Sequence, residues 1–136
     1  YGCGADNEKG FQIKSCWDGD ETVCIWQPSP HHCAGSKDIL NGGVIASLVD
    51  CHSINTAIAH HYKSECRPIG SSPLIYVVTA NLNITYLKAV NISKPVTLRA
   101  KLVKSEGRKS WIECTLYSDG EICAEGKVLA IRKNHS

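Results

Sequence analysis

Residues 42–63 read GGVIASLVDCHSINTAIAHHYK, and no proline interrupts them. Apolar side chains recur in this stretch at helical spacing, at Val44, Ile45, Leu48, Cys51 and Ile58. We therefore predict one long helix whose apolar stripe packs against the rest of the chain. A second face carries Gly43, Ser47, Asp50 and Ala57, where an outward-facing helix usually carries lysine and glutamate. Small residues on that face predict the close approach of another backbone.

The segments on both sides of this helix alternate between apolar and polar residues, which is typical of strands. Residues 11–17 and 21–27 flank Asp18-Gly19-Asp20, a turn sequence that predicts a hairpin. Residues 28–40 have no usable period and form a long loop. After the helix, the predicted strands are 74–89, 96–105, 109–118 and 121–133, arranged as one antiparallel meander. These elements predict an α+β fold in which a curved six-stranded sheet wraps one central helix.

Length and charge exclude several classes of protein. A chain of 136 residues with 43% hydrophobic and 21% charged residues predicts a single folded domain over residues 1–136. Fifteen basic against thirteen acidic residues leave a net charge of +2, so we expect no nucleic-acid partner. No apolar run approaches the roughly 20 residues of a membrane helix, so we expect no membrane partner and a cytoplasmic location.

Eight cysteines are the one unusual count. Several alternate with apolar neighbours, as Cys114 does between Ile112 and Leu116, and reduced cysteine packs as a small hydrophobe. We favour reduced core cysteines, with a disulfide-bonded secreted protein as the alternative. The cluster His31-His32-Cys33 has too few well-spaced ligands for zinc, so no metal and no cofactor are expected.

Four blocks of sequence carry a resemblance to a known family. They are GCGADNEKGF at 2–11, LNGGVIASLVD at 40–50, TANLNITYL at 79–87 and DGEICAEG at 119–126. In this order and spacing the chain resembles the PaaI-like hotdog thioesterases. The resemblance implies a hotdog fold, in which a helix is wrapped by a five- to six-stranded antiparallel sheet. It also implies a homodimer formed through the sheets, often a tetramer of two dimers, and hydrolysis of an acyl-CoA thioester.

The resemblance assigns the candidate catalytic residues. Gly42 and Gly43 lie at the helix start, where backbone amides lack intrahelical acceptors and can bind an oxyanion. The family places its oxyanion amide at Gly42 and its carboxylate, as general base or nucleophile, at Asp50. It places a water-orienting hydroxyl at Thr79. Because Gly42 and Asp50 are about 12 Å apart on one helix, both can serve one carbonyl only if two subunits share the site.

The chain also departs from the family. Asn41 stands where the family has histidine, and Gly35 stands where it has asparagine or glutamine. Asn41 can hydrogen-bond a carbonyl or fix the loop, but it cannot exchange protons near neutral pH. This departure leaves open a hotdog protein that binds an acyl thioester without cleaving it, or a purely structural domain. Lys88, Arg108 and Lys109 are candidates for holding the CoA phosphates.

Overall fold

The computed structural model describes residues 10–11 and 13–133. Its single α-helix, α1, spans Gly42–Ser64 and begins where the sequence predicts. Asn41 caps the helix, because its extended backbone leaves the side chain free to accept from the Gly43 amide. Lys63 lies in the last turn, where a positive charge interacts favourably with the helix dipole.

Six strands form one sheet around this helix. They are β1 (Cys16–Asp18), β2 (Glu21–Trp26), β3 (Val77–Tyr86), β4 (Val96–Glu106), β5 (Lys109–Ser118) and β6 (Glu121–Arg132). All pairings are antiparallel, and the order across the sheet is β1-β2-β4-β5-β6-β3. The predicted α+β fold, one long helix packed on a six-stranded antiparallel sheet, is confirmed. The first strand is shorter than predicted, since pairing with β2 covers only three residues.

The predicted meander is correct only for β4, β5 and β6. β3 pairs with β6 from Val77 to Tyr86, at the far edge of the sheet from β1. It cannot pair with β4, because β2 and β5 occupy the two edges of that strand. Alternation within a segment identifies a strand but says nothing about its neighbours, which is why the sequence alone missed this crossover.

The core lies between α1 and the inner face of the sheet. Ile45, Leu48 and Val49 are buried against strand residues such as Leu98 and Leu116. The helix and sheet approach each other closely at Gly126 of β6, where an added Cβ would lie 2.4 Å from Val49 Cγ1. A glycine at this position therefore sets how near the helix can lie to the sheet.

The predicted stripe of small residues on α1 changes character along the helix. Gly43 is exposed, Ser47 and Asp50 are half-buried, and Ala57 is fully buried in the core. This face is therefore accessible from Gly43 to Asp50 and buried at Ala57. Within the described residues, no helix combines the length and apolar character that crossing a bilayer requires. No disulfide joins any two of the seven cysteines in the same part of the chain, and Cys3 lies outside it.

Candidate active site

The start of α1 is held by hydrogen bonds on three sides. Asn41 Oδ1 accepts from the Gly43 amide at 2.7 Å, and the Asn41 carbonyl accepts from the Ile45 amide at 3.1 Å. The Asn41 amide donates to the His32 carbonyl at 2.9 Å. Among the described residues, none accepts from the Gly42 N–H. The peptide that carries this N–H is thus fixed in orientation while the N–H itself remains available to a ligand.

Asn41 performs a structural task at the position where the family has histidine. Its side-chain oxygen is engaged by the Gly43 amide, and an amide side chain has no proton to exchange near neutral pH. An added Cβ on Gly43 would lie 3.0 Å from that oxygen, so glycine keeps the cap compact. Asn41 therefore shapes the helix start through Oδ1, while its Nδ2 N–H groups keep the capacity to donate to a substrate carbonyl. Gly35, the other departure, is exposed with nothing near its Cβ position.

Tyr86, at the end of β3, is a site residue that the sequence analysis missed. Its hydroxyl donates to the Gly42 carbonyl at 2.7 Å, and its ring lies 3.6 Å from where a Gly42 Cβ would be. The side chain is nevertheless half exposed, at 52%. The sequence block 79–87 contained it, but an aromatic residue in a strand ordinarily indicates packing. Tyr86 and Asn41 together fix the peptide between Gly42 and Gly43 from both ends.

Asp50 and Thr79 are in direct contact. The Thr79 hydroxyl donates to Asp50 Oδ1 at 2.5 Å. Asp50 is half-buried on the third turn of α1, and Thr79 is exposed on β3, so both can be reached by solvent. This bond orients the carboxylate and leaves Oδ2 available to accept a proton from water. The structure thus brings together two of the predicted catalytic residues from elements 29 positions apart.

The structure does not bring Gly42 and Asp50 together. They are eight residues apart on the same rigid helix, or about 12 Å along its axis. β3 runs beside the first half of α1, with Thr79 at Asp50 and Tyr86 at Gly42. One chain therefore carries two half-sites along β3. The first pairs the Asp50 carboxylate with the Thr79 hydroxyl, and the second pairs the Gly42 backbone with the Tyr86 hydroxyl.

The three predicted phosphate-binding residues lie beside opposite ends of β6. Lys88 follows β3, where its amide donates to the Cys123 carbonyl, and its ammonium pairs with Glu121 at 2.9 Å. Lys109 pairs with Ile131, at the opposite end of β6, and Arg108 precedes it in the β4–β5 turn. Eight residues of strand correspond to about 26 Å. Lys88 cannot share a phosphate with the other two within one chain.

The histidine–cysteine cluster of the loop has structural contacts. His32 Nδ1 accepts from the Ser29 amide at 2.9 Å, and its ring packs against Phe11 and Trp26. Burial, together with the neighbouring His31, lowers the pKa of His32. In the part of the chain that the structure describes, no group of three or more His, Cys, Asp or Glu side chains is placed to hold a metal ion.

The chain matches one family model and several known proteins. Residues 37–125 match the model of the family described as "Thioesterase superfamily". The chain is 30% identical over 120 residues to the bovine protein "Acyl-coenzyme A thioesterase THEM4", covering 87% of this chain and 44% of that protein. The mouse protein of the same name is 32% identical over 114 residues, covering 82% and 43%. The chain thus spans less than half the length of these curated relatives.

Solved structures show the same fold. A thioesterase superfamily protein from Shewanella loihica is 32% identical, with a TM-score of 0.71 over 90% of this chain and 91% of that one. The thioesterase HI1161 from Haemophilus influenzae is 17% identical with a TM-score of 0.74, covering 91% and 80% of the two chains. At that lower identity the likeness concerns the fold alone.

Proposed function

This chain belongs to the thioesterase superfamily, and from that membership we propose that it hydrolyses an acyl-CoA thioester to a free acid and CoA. Acyl-coenzyme A is part of the names of the bovine and mouse relatives, which are 30% and 32% identical to this chain over the matched residues. The observation that carries the proposal is the contact between Thr79 and Asp50, which holds a solvent-accessible carboxylate in one orientation.

We further propose that the site forms between two copies of the chain. β3 is a ten-residue edge strand that is almost wholly exposed, with Val78, Leu82 and Tyr86 among its uncovered apolar side chains. A long unpaired edge of this kind is a template for pairing with a second chain. We therefore assign the homodimer to antiparallel pairing of β3 with its copy, and a dimer of dimers to further association.

The positions along β3 support a shared site. Thr79 is aligned with Ala130 of β6 and Tyr86 with Ala124, and Asn83, aligned with Lys127, lies midway between them because a bulge falls between Thr79 and Asn81. A twofold axis at Asn83 would therefore set Thr79 of one chain opposite Tyr86 of the other. Asp50 is hydrogen-bonded to Thr79, and Gly42 is hydrogen-bonded to Tyr86, so each would lie beside its strand partner in the dimer. The half-sites that one chain keeps apart meet in this dimer.

The proposed chemistry uses each half-site once. The thioester carbonyl oxygen accepts from the Gly42 N–H, which stabilises the oxyanion that forms during attack. Asp50 of the other subunit takes the proton from the attacking water, or attacks the carbonyl itself before water releases the acid. Thr79 holds the carboxylate. The C–S bond breaks, and the CoA thiolate leaves and takes up the proton.

The same symmetry gathers the basic residues. Lys88 of one chain would lie opposite the start of β3 in the other, near which Lys109 and Arg108 of that chain lie. We propose that these residues, divided between two subunits, hold the CoA phosphates. Gly43 lines the same approach through its position beside Asn41.

A second candidate function follows from Asn41. Its side-chain oxygen accepts from the Gly43 amide, and asparagine does not titrate near neutral pH. This half-site therefore lacks the proton-exchanging group that the family's histidine supplies. A hotdog protein that binds the acyl thioester without cleaving it is therefore the alternative. Release of free thiol from acyl-CoA supports the hydrolase, and binding without release supports the alternative.

Mixing two inactive chains tests the shared site. Gly42→Pro removes the amide N–H and suits the first helical position, and the extended backbone of Asn41 tolerates a following proline. Asp50→Ala removes the carboxylate. Each homodimer should be inactive, whereas a heterodimer purified through two different tags should regain one site.

Gly42→Ala is the matched control, because it keeps the N–H and places a methyl group at ordinary contact distance from Tyr86. It should retain most of the wild-type activity. A verified heterodimer that shows no thiol release above the two homodimers would overturn the shared site.

A further inference from the structure

An apolar pocket lies on the other side of α1, between the helix and β1. Its volume is about 440 Å³, and its apolar lining includes Ile13, Trp17, Ile58 and Ile69. Ser15 and Asn55 add polar groups to the same lining. No residue of the proposed thioesterase site lines this pocket. A concave apolar site with a few convergent polar groups is the usual form of a small-molecule site.

Ser15 is hydrogen-bonded to a buried histidine. Its Oγ lies 2.7 Å from Nδ1 of His52, which has no solvent exposure. His52 Nε2 lies 3.1 Å from the Thr22 carbonyl oxygen, and a carbonyl can only accept. Nε2 therefore carries the proton, so Nδ1 of the neutral ring accepts from the Ser15 hydroxyl. The serine, the base and the group that orients the base are thus arranged as in nucleophilic catalysis.

Two further features suit the pair to this role. Burial lowers the pKa of His52, which keeps the ring neutral, so Nδ1 retains the lone pair that accepts from the Ser15 hydroxyl. Asn55 Nδ2 donates to Ser15 Oγ at 3.3 Å, which places an N–H beside the atom that would attack. An amide donor next to the nucleophile is the kind of group that stabilises an oxyanion.

The pocket is separate from the Asp50 half-site. His52 is two residues beyond Asp50, and two residues of helix correspond to a rotation of about 200°. Asp50 accordingly faces β3, while His52 bonds to Thr22 on β2 and lies near β1. β1 and β3 are the two opposite edges of the sheet.

We propose that Ser15 and His52 form a second nucleophilic site, which takes an uncharged ester of a short apolar acid. The Ser15 proton passes to His52 Nδ1 while Oγ bonds to the ester carbonyl carbon. The ester C–O bond then breaks, and the leaving alkoxide takes the proton from Nδ1. Water hydrolyses the acyl-serine through the same pair, which restores Ser15 and releases the acid.

A fluorophosphonate tests this site directly. Attack by Ser15 Oγ forms an O–P bond, breaks the P–F bond and releases HF. The native full chain should gain one adduct, located at Ser15 by peptide mass mapping. p-Nitrophenyl butyrate should slow the labelling by competition, and the chain unfolded in urea should not be labelled. Asp50→Ala should be labelled at the wild-type rate, which separates this site from the proposed thioesterase site.

Ser15→Ala should abolish the adduct, because it removes the oxygen that bonds to phosphorus. Ser93→Ala is the matched control, since the Ser93 hydroxyl is hydrogen-bonded to an asparagine, at 2.7 Å, rather than to a histidine. It should be labelled as the wild type is. The absence of any adduct on the folded wild-type chain would overturn the proposal whether or not Ser15→Ala folds. Equal labelling of folded and unfolded chain, or an adduct at another residue, would do the same.

Discussion

The polar side chains on the two sides of α1 differ in burial and in hydrogen bonding. On the β3 side, Asp50 and Thr79 bond to each other and remain accessible to solvent. On the β1 side, His52 and Thr22 are buried, and their hydrogen-bonding groups find partners within the chain. The β1 side is complete in one chain, whereas the β3 side ends at an exposed strand.

This difference separates residues that stabilise the fold from residues of the proposed thioesterase site along one helix. Buried polar groups are tolerated only when they are hydrogen-bonded, so changes on the β1 side should act first on folding. Exposed polar groups contribute little to folding, so changes on the β3 side should act first on turnover and association. Five substitutions test this contrast.

The largest effect should come from Asp50→Asn. Loss of a general base or nucleophile typically lowers the rate about a hundredfold or more, while a half-exposed carboxylate contributes little to stability. Thiol release from acyl-CoA measures the rate, and thermal unfolding checks the fold. Glu113→Gln, on the outer face of β5, is the control and should be active. A rate within about threefold of wild type would remove Asp50 from the mechanism.

Leu82→Lys should abolish the proposed dimer. Leu82 is 39% exposed near the middle of β3, and antiparallel pairing would bring two lysines close to the twofold axis, where like charges repel. The variant should elute as a folded monomer without thioesterase activity. Ile25→Lys, at an exposed position on β2, should leave the oligomer unchanged. An active monomer would contradict the shared site.

Gly126→Ala should destabilise the fold by about 1–3 kcal/mol, the usual cost of overpacking. The new methyl group would lie 2.4 Å from Val49 Cγ1 and push the helix away from the sheet. Gly35→Ala, where nothing lies within 4 Å, should leave urea unfolding nearly unchanged. Adding Val49→Ala to Gly126→Ala should recover part of the loss, and a purely additive double mutant would argue against this contact.

Stability should fall as the pH drops from 7.5 to 5.5. Burial lowers the pKa of His52 below its usual 6.5, and the pKa values of His32, His60 and His61 are also lowered. The unfolded chain therefore binds more protons in this range, so the free energy of unfolding rises with pH, and the contribution of the neutral histidines decreases as the pH falls below about 6.5. Urea unfolding at several pH values measures the slope.

The His52→Gln variant should show a shallower slope than the wild type, and His32→Gln, a change at a less buried ring, should alter it less. Equal slopes for wild type and His52→Gln would mean that His52 does not contribute to the pH dependence.

The smallest effect should come from Asn41→His. This change restores the family residue but removes the cap on the Gly43 amide, at a cost of about 1 kcal/mol. We expect a lower melting temperature with turnover preserved or raised. Asn41→Asp keeps an acceptor at the cap and should melt near the wild-type temperature. Complete loss of turnover in Asn41→His would mean that the site has reorganised around asparagine.

The sequence predicts local structure better than contacts between elements. The start of α1 is predicted because its cap, its glycines and its apolar period are all local signals. The pairing of β3 with β6 is not predicted by local signals, since it depends on which strand edges the other strands leave free. For this reason the sequence suggested Asp50 and Thr79 separately, through a resemblance, and did not show that they touch.

Two contacts of the structure lay beyond sequence reasoning for a physical cause. Tyr86 meets Gly42 only because β3 runs beside the first half of α1. His52 meets Thr22 only because β2 pairs with β4, which brings Thr22 over the helix. Neither register is encoded in the alternation of a single strand.

β3 has a mechanical consequence for the proposed dimer. One stiff strand carries Thr79 at one end and Tyr86 at the other, and each end would belong to a different catalytic site. A ligand that draws the strand along its axis at one site would displace the contact at the other. Occupancy of the two sites would then be coupled, and reciprocally so. Saturation with acyl-CoA would depart from a simple hyperbola, although the sites are chemically identical.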